Sequence, residues 1–319
     1  MSLFRKGEGD RLFYGTTGAF ALFLVVLVGA IAVVLWMESR ESIQKFGLAF
    51  WESSTWDPVM GEFGAAPFIW GTLYSAILAL LIATPVALGI AIFLTELCPH
   101  WLKAPLVFLT ELLASIPSIV YGLWGIFVLV PAVRSLQLSL PDWVRSIPLF
   151  SGPPVGVSMF TAAVILAIMV VPYTSSVARE VLKAVPNAQR EGAYALGSTR
   201  WEATLVALHY ARTGIIGAIM LGFGRALGET MAVTMVIGNS PKALWSLFAP
   251  QYTMAAVIAN EFAEAADNLH LSALVEVGLV LFVITLVINA GSRVLIYSMN
   301  RERKPKSAAV PATAKAGVA

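Results

Sequence analysis

The chain has 319 residues, a formal net charge of +2, and 58% hydrophobic against 13% charged residues. Soluble domains hold roughly 45–50% apolar residues, so this composition and a mean hydropathy of +0.79 exclude an ordinary soluble domain in favour of a membrane protein. So small a net charge gives no ground for a nucleic-acid partner, and the single Cys98 closes no internal disulfide.

Charge-free runs near the roughly 20 residues that a spanning helix needs set the predicted elements, and the chain reads as all-α with six membrane helices. A tail over 1–11 precedes the first helix, at 12–37. Arg5, Lys6 and Arg11 flank it as they would a signal peptide. Its apolar run exceeds an h-region of about 7–15 residues and no A-x-A site follows, so it reads as a retained anchor. The second helix is expected at 67–96, the third at 106–133 and the fourth at 157–181. The fifth is expected at 213–239 and the sixth at 273–299, and Pro85, Pro117 and Pro172 inside these runs are tolerable in packed membrane helices. Glu96 and Glu111 read as boundary residues around the short loop that holds Cys98 and His100. The tail over 301–319 is low in complexity and reads as disordered.

Lysine and arginine orient the chain. With the N-terminus inside, the inner segments hold Arg5, Lys6, Arg11, Lys103, Arg179, Lys183, Arg190, Arg200, Arg212, Arg293 and the basic residues from Arg301 onward. The outer segments hold only Arg40, Lys45, Arg134, Arg145 and Lys242. That bias places both termini in the cytoplasm.

Two places carry chemistry. Within the fifth helix the chain reads Gly224-Arg225-Ala226-Leu227-Gly228-Glu229-Thr230. Arg225 and Glu229, four apart, are expected on one helical face. A charge at membrane depth costs about 2.5–3.5 kcal/mol, whereas a surface pair of this spacing returns only about 0.2–0.5 kcal/mol. The bland reading, an intrahelical pair, is therefore insufficient without a further partner, and a polar path is the default. The second place is the loop over 186–205, expected to hold a short helix that Pro186 and Asn187 start, with Glu191 in its first turn and Gly197 ending it in a left-handed turn. No catalytic triad, zinc cluster, nucleotide-cradling loop or cofactor motif is present, so no enzymatic activity is expected of this chain. A secondary transporter would show paired repeats with interrupted helices, and the Arg225 region has no second copy.

The segment Glu191-Gly192-Ala193-Tyr194-Ala195-Leu196-Gly197 resembles the EAA signature of ABC importer permeases. Gly192 departs from it in place of the first alanine, and His209-Tyr210 stands where that family often has Leu-Pro. The resemblance implies the type I importer permease architecture, with Glu191, Gly192, Ala193, Ala195, Leu196 and Gly197 on a cytoplasmic coupling helix between the fourth and fifth membrane helices. The run from Gly224 to Val233 further resembles the phosphate-specific permeases, and Met231-Ala232-Val233 favours their C-type subunit. Ile43–Phe50, Ile116–Gly122 and Asn260–Ala265 extend the similarity. It implies an inner-membrane subunit that moves inorganic phosphate and pairs with an A-type permease. A cytoplasmic ATPase dimer and an extracytoplasmic phosphate-binding protein would be the other partners, with no cofactor on this chain. Arg225 and Glu229 would line the substrate path, with Glu229 partnering Arg225 while phosphate is absent. A permease for sulfate or molybdate would share the loop and should lack the Gly-Arg-Ala-Leu-Gly-Glu-Thr run.

Overall fold

The computed structural model describes residues 8–301. Of the tail expected at 301–319, Arg301 closes the last helix and residues 302–319 lie outside the described residues. Among the described residues the structure is helical, with two isolated bridges as its only extended pairing. The elements are α1 (Glu8–Glu38), α2 (Arg40–Phe46), α3 (Ala49–Glu52), α4 (Ala66–Ile92), α5 (His100–Ser115), α6 (Ser118–Trp124) and α7 (Val130–Ser139). After these come α8 (Asp142–Arg145), α9 (Met159–Lys183), α10 (Asn187–Ala195), α11 (Arg200–Leu227), α12 (Met231–Val236), α13 (Met254–Glu261) and α14 (Asn268–Arg301). Wider π-helical turns carry α4 on through Phe93–Leu97 and join α6 to α7 through Gly125–Leu129. Six helical spans are long and apolar enough to cross a membrane: Asp10–Glu38, Ala66–Leu97, Ser118–Ser139, Met159–Lys183, Arg200–Leu227 and Asn268–Met299.

Two predicted helices are divided. The third, expected unbroken over 106–133, is α5 followed by a separate span from Ser118. Ile116 turns extended, at φ −65° and ψ 129°, because the ring of Pro117 disfavours helical geometry in the residue before it. The fifth, expected over 213–239, starts earlier at Arg200 and stops at Leu227, with Gly228 as its cap and α12 resuming at Met231. Its early start has a local cause. The Thr199 side chain accepts from the Glu202 N–H while the Glu202 carboxylate accepts from the Thr199 N–H, a reciprocal capping box. At the other terminus α1 begins at Glu8, inside the expected tail.

The centre of the bundle is α4 against α9. Gly71, Ser75, Ala79, Ala83, Ala87 and Ala91 recur every fourth residue on α4 and are all buried. Small side chains on one stripe let helix backbones approach closely, which is what drives association where lipid tails are as apolar as leucine. Helix α11 lies antiparallel to α9 by the same device: a side chain at Gly214 would collide with Val181, and one at Gly222 with Val170 and Thr174. Three apolar clusters stack along the axis, around Leu182 and Ala207 at the α10 end, Leu166 and Val236 in the middle, and Phe68 and Met254 at the opposite end. Helix α1 runs along α14 on the outside of the bundle with almost its whole surface exposed.

At the end opposite α10, the Glu261 carboxylate accepts from Trp56 Nε1 at 2.8 Å and meets His270 Nε2 at 3.2 Å. Burial pushes the neighbouring Tyr252 phenol up to about 12, so it stays neutral and accepts a hydrogen bond from Asn260 Nδ2.

Candidate functional site

Register fixes the depth of Arg225. Since Gly222 meets Val170 and Thr174 while Gly214 meets Val181, the last turn of α11 lies near the middle of the 25-residue α9. The guanidinium carbon of Arg225 stands 5.8 Å from the centre of the Tyr173 ring on α9, a cation–π distance. Tyr121 on α6 is within electrostatic reach, and its hydroxyl donates to the Leu113 carbonyl at 2.9 Å. The Arg225 side chain is exposed in the single chain. An exposed guanidinium at mid-bundle cannot face lipid cheaply; it faces water or another protein.

Glu229 stands apart from it. The expectation of one shared helical face fails because α11 ends between them and Glu229 occupies the three-residue break before α12. Among the described residues the two form no ion pair, and Glu229 Oε1 instead accepts from the Ala232 N–H at 3.4 Å, at the start of α12. The residue that caps α11 at this break, Gly228, lies within the motif itself. Both residues border one gap in the helix, where the final carbonyls of α11 and the first N–H groups of α12 lack helical partners.

The second candidate surface is α10. Its N-cap is Pro186 and Asn187 is its first helical residue, so Glu191 falls in mid-helix and not in the first turn. Gly197 follows with φ +81°, the left-handed turn in which glycine carries no steric cost. Ala193 is buried against the bundle, while Glu191, Gly192, Ala195 and Gly197 are exposed and Leu196 is 88% exposed. The helix thus turns one small residue inward and presents Glu191, Tyr194 and small residues outward, ending in a bare leucine.

Sequence reasoning missed what holds α10 in place. Arg190 Nη2 reaches Glu96 Oε1 at 2.7 Å, Nε lies 3.2 Å from both carboxylate oxygens, and Nη1 and Nη2 also donate to the carbonyls of Val185 and Leu182. Both side chains are largely buried. A guanidinium with its donors so filled is a rigid clamp. Glu111, also read as a boundary residue, pairs with the buried Arg179 at 3.2 Å. Nothing local in the sequence joins either pair. Among the described residues no group of three or more His, Cys, Asp or Glu could hold a metal ion.

Residues 87–301 match the family described as binding-protein-dependent transport system inner membrane component. The "Phosphate transport system permease protein PstC" of Haemophilus influenzae is 48% identical over 300 residues, covering 92% of this chain and 95% of that one. The protein of the same name from Mesorhizobium japonicum is 47% identical over 293 residues, 90% of each chain. A "Probable phosphate transport system permease protein PstC" of Methanocaldococcus jannaschii is 39% identical, covering 89% and 92%. Among solved structures, a permease chain from inward-facing conformations of the MetNI methionine ABC transporter superposes with a TM-score of 0.54 at 15% identity, over 72% of this chain and 93% of that one. That likeness bears on the fold alone. With six spans, a short helix between the fourth and fifth, and this match over most of its length, the chain belongs to the inner membrane components of binding-protein-dependent transport systems.

Proposed function

We propose that this chain is the permease subunit of an importer that carries inorganic phosphate across the cytoplasmic membrane, half of a path completed by a second permease. The observation that carries the reading is Arg225: an exposed guanidinium at mid-depth in an apolar bundle, without an ion pair among the described residues and flanked by Tyr173 and Tyr121. Its planar fork matches two oxygens of a tetrahedral oxyanion. The names of the relatives supply the identity of that oxyanion. Transport requires release as well as entry, and an arginine set against an aromatic face, with no ion pair among the described residues, holds an anion more loosely than a closed ring of donors.

Glu229, at the break after α11, sets the charge state. A carboxylate repels the doubly charged phosphate more strongly than the singly charged one, whose more acidic hydroxyl is also the better hydrogen-bond donor to it. The exposed face of α10 receives a partner ATPase, whose nucleotide hydrolysis drives the cycle, so α10 and both termini lie in the cytoplasm, as the lysine and arginine bias requires. The end bearing Trp56, Glu261 and His270 then faces an extracytoplasmic binding protein.

Uptake of radiolabelled phosphate in cells lacking the gene tests the reading. Complementation by this chain should restore uptake that excess unlabelled sulfate or molybdate leaves unchanged. Restoration that sulfate suppresses would assign a different oxyanion.

A further inference from the structure

A groove of about 380 Å³ opens between α11 and α14 on the α10 side of Arg225. Its α11 wall is Gly214, Gly217, Ala218, Met220 and Leu221. At 100° per residue all of these but Met220 lie on the face that carries Arg225. Its α14 wall is Asn289, Ser292, Arg293 and Ile296, spaced three and four apart and hence also one face. Contacts fix the level of each residue: Ile296 faces Gly217 and Asn289 faces Gly224. In this antiparallel register Arg293 stands level with Met220, about 7.5 Å along the axis from Arg225. The sequence counts Arg293 among the basic residues of the inner segments, yet it lies within the sixth span, Asn268–Met299.

Three features of the groove are unexplained by packing. Arg293 is exposed and makes no ion pair, and Asn289 makes no side-chain hydrogen bond, among the described residues. Gly217 opposite leaves space open that a larger side chain would close, its added methyl meeting nothing nearer than Ile296 at 3.7 Å. Ser292 spends its proton on the Ile288 carbonyl at 2.8 Å, which leaves its oxygen as an acceptor. Two donors and one acceptor thus converge on a cavity large enough for a tetrahedral anion. Other side chains in reach are apolar.

From this we infer that the α11–α14 groove is a second oxyanion site, in which Arg293 and Asn289 donate to a phosphate group and Ser292 accepts from its hydroxyl. The group is either transported inorganic phosphate, handed inward from Arg225, or the headgroup of an anionic lipid reaching in from the membrane. The first source rests on the proposed phosphate path; the second does not. As a station on the path, Arg293 draws the anion off Arg225 over a distance short enough that neither cation is left facing apolar surface alone.

The test uses the assembled transporter in vesicles of phosphatidylcholine alone and of phosphatidylcholine with an equal weight of phosphatidylglycerol. Inward movement of labelled inorganic phosphate is measured, together with the phosphatidylglycerol retained by the purified complex. For inorganic phosphate, Arg293→Gln lowers the maximal rate about tenfold or more in both vesicles while the half-saturating concentration stays within about threefold, the loss of one charge-assisted contact after entry. For a lipid headgroup, the loss is confined to vesicles with phosphatidylglycerol and retained phosphatidylglycerol falls. Native rates together with native lipid retention in Arg293→Gln overturn the site. If the native complex moves no phosphate, the phosphate reading falls, and retained phosphatidylglycerol alone decides the groove: removed by Arg293→Gln it supports the site, unchanged it overturns it. Should Arg293→Gln fail to assemble, Asn289→Leu fills the groove without touching a charge; the same signature is expected, and native behaviour overturns the proposal.

Discussion

Arg190 and Glu96 lie 94 positions apart in the chain and meet through three N–H···O contacts, the shortest 2.7 Å, at the base of α10. The pair ties the helix that presents the exposed EAA face to the last turn of the second span. A load applied to α10 therefore reaches the Ala66–Leu97 span through a guanidinium clamp and not through a flexible loop.

Breaking the clamp on one side leaves a largely buried charge without a partner, at a cost of about 3 kcal/mol. Arg190→Ala and Glu96→Gln should leave the permease inserted, lower its melting temperature and reduce the ATPase that co-purifies with it. Melting and co-purification at native levels would show that α10 is held by other contacts.

On the outward face of α10, Leu196 is 88% exposed and Gly197 holds φ +81°. Gly197→Asp strains the turn, and Glu191→Arg reverses a charge on the same surface without touching the bundle. Both should insert normally and lose coupling, read as ATPase hydrolysis that no longer responds to the loaded binding protein. A full response in both variants contradicts the docking surface.

The close approach of α4 to the segment that leads into α13 has a direct test at Gly71, where a methyl group would collide with the Tyr252 backbone carbonyl. Gly71→Ala forces backbone apart from backbone, and overpacking of this kind costs about 1–3 kcal/mol. Gly89→Ala serves as the control, because nothing lies within 4 Å of its added methyl. Equal thermal stability of the two variants would contradict the packing account.

For Glu229 the sign follows from phosphate itself, which passes from the singly to the doubly charged form as pH rises through neutrality. A carboxylate that prefers the singly charged anion makes uptake by the native chain fall at alkaline pH, and Glu229→Gln should flatten that fall. Identical pH profiles would remove Glu229 from the path.

The spans were legible in the sequence because twenty-odd residues without a charge have few other uses. So was the turn at Gly197. What was not legible has a common cause: the pattern reports hydrophobicity and not backbone breaks or distant pairs. Ile116-Pro117 sits inside an apolar run, so periodicity read through it. The break at Gly228 hid in the same way, and with it the separation of Arg225 from Glu229. The partnership of Arg190 with Glu96 leaves no local trace, since each is an ordinary charge near a helix end. Arg293 counted toward orientation and gave no sign of the groove it lines, because depth depends on the register between α11 and α14.

The central claim is that Arg225 meets the transported anion. The most direct measurement is labelled phosphate uptake by the assembled transporter carrying Arg225→Gln, with partner co-purification followed in the same preparation. Uptake should vanish while assembly persists, since glutamine keeps a polar side chain at that depth and loses the charged fork. Native uptake with Arg225→Gln would contradict the account and return this arginine to a structural role between subunits.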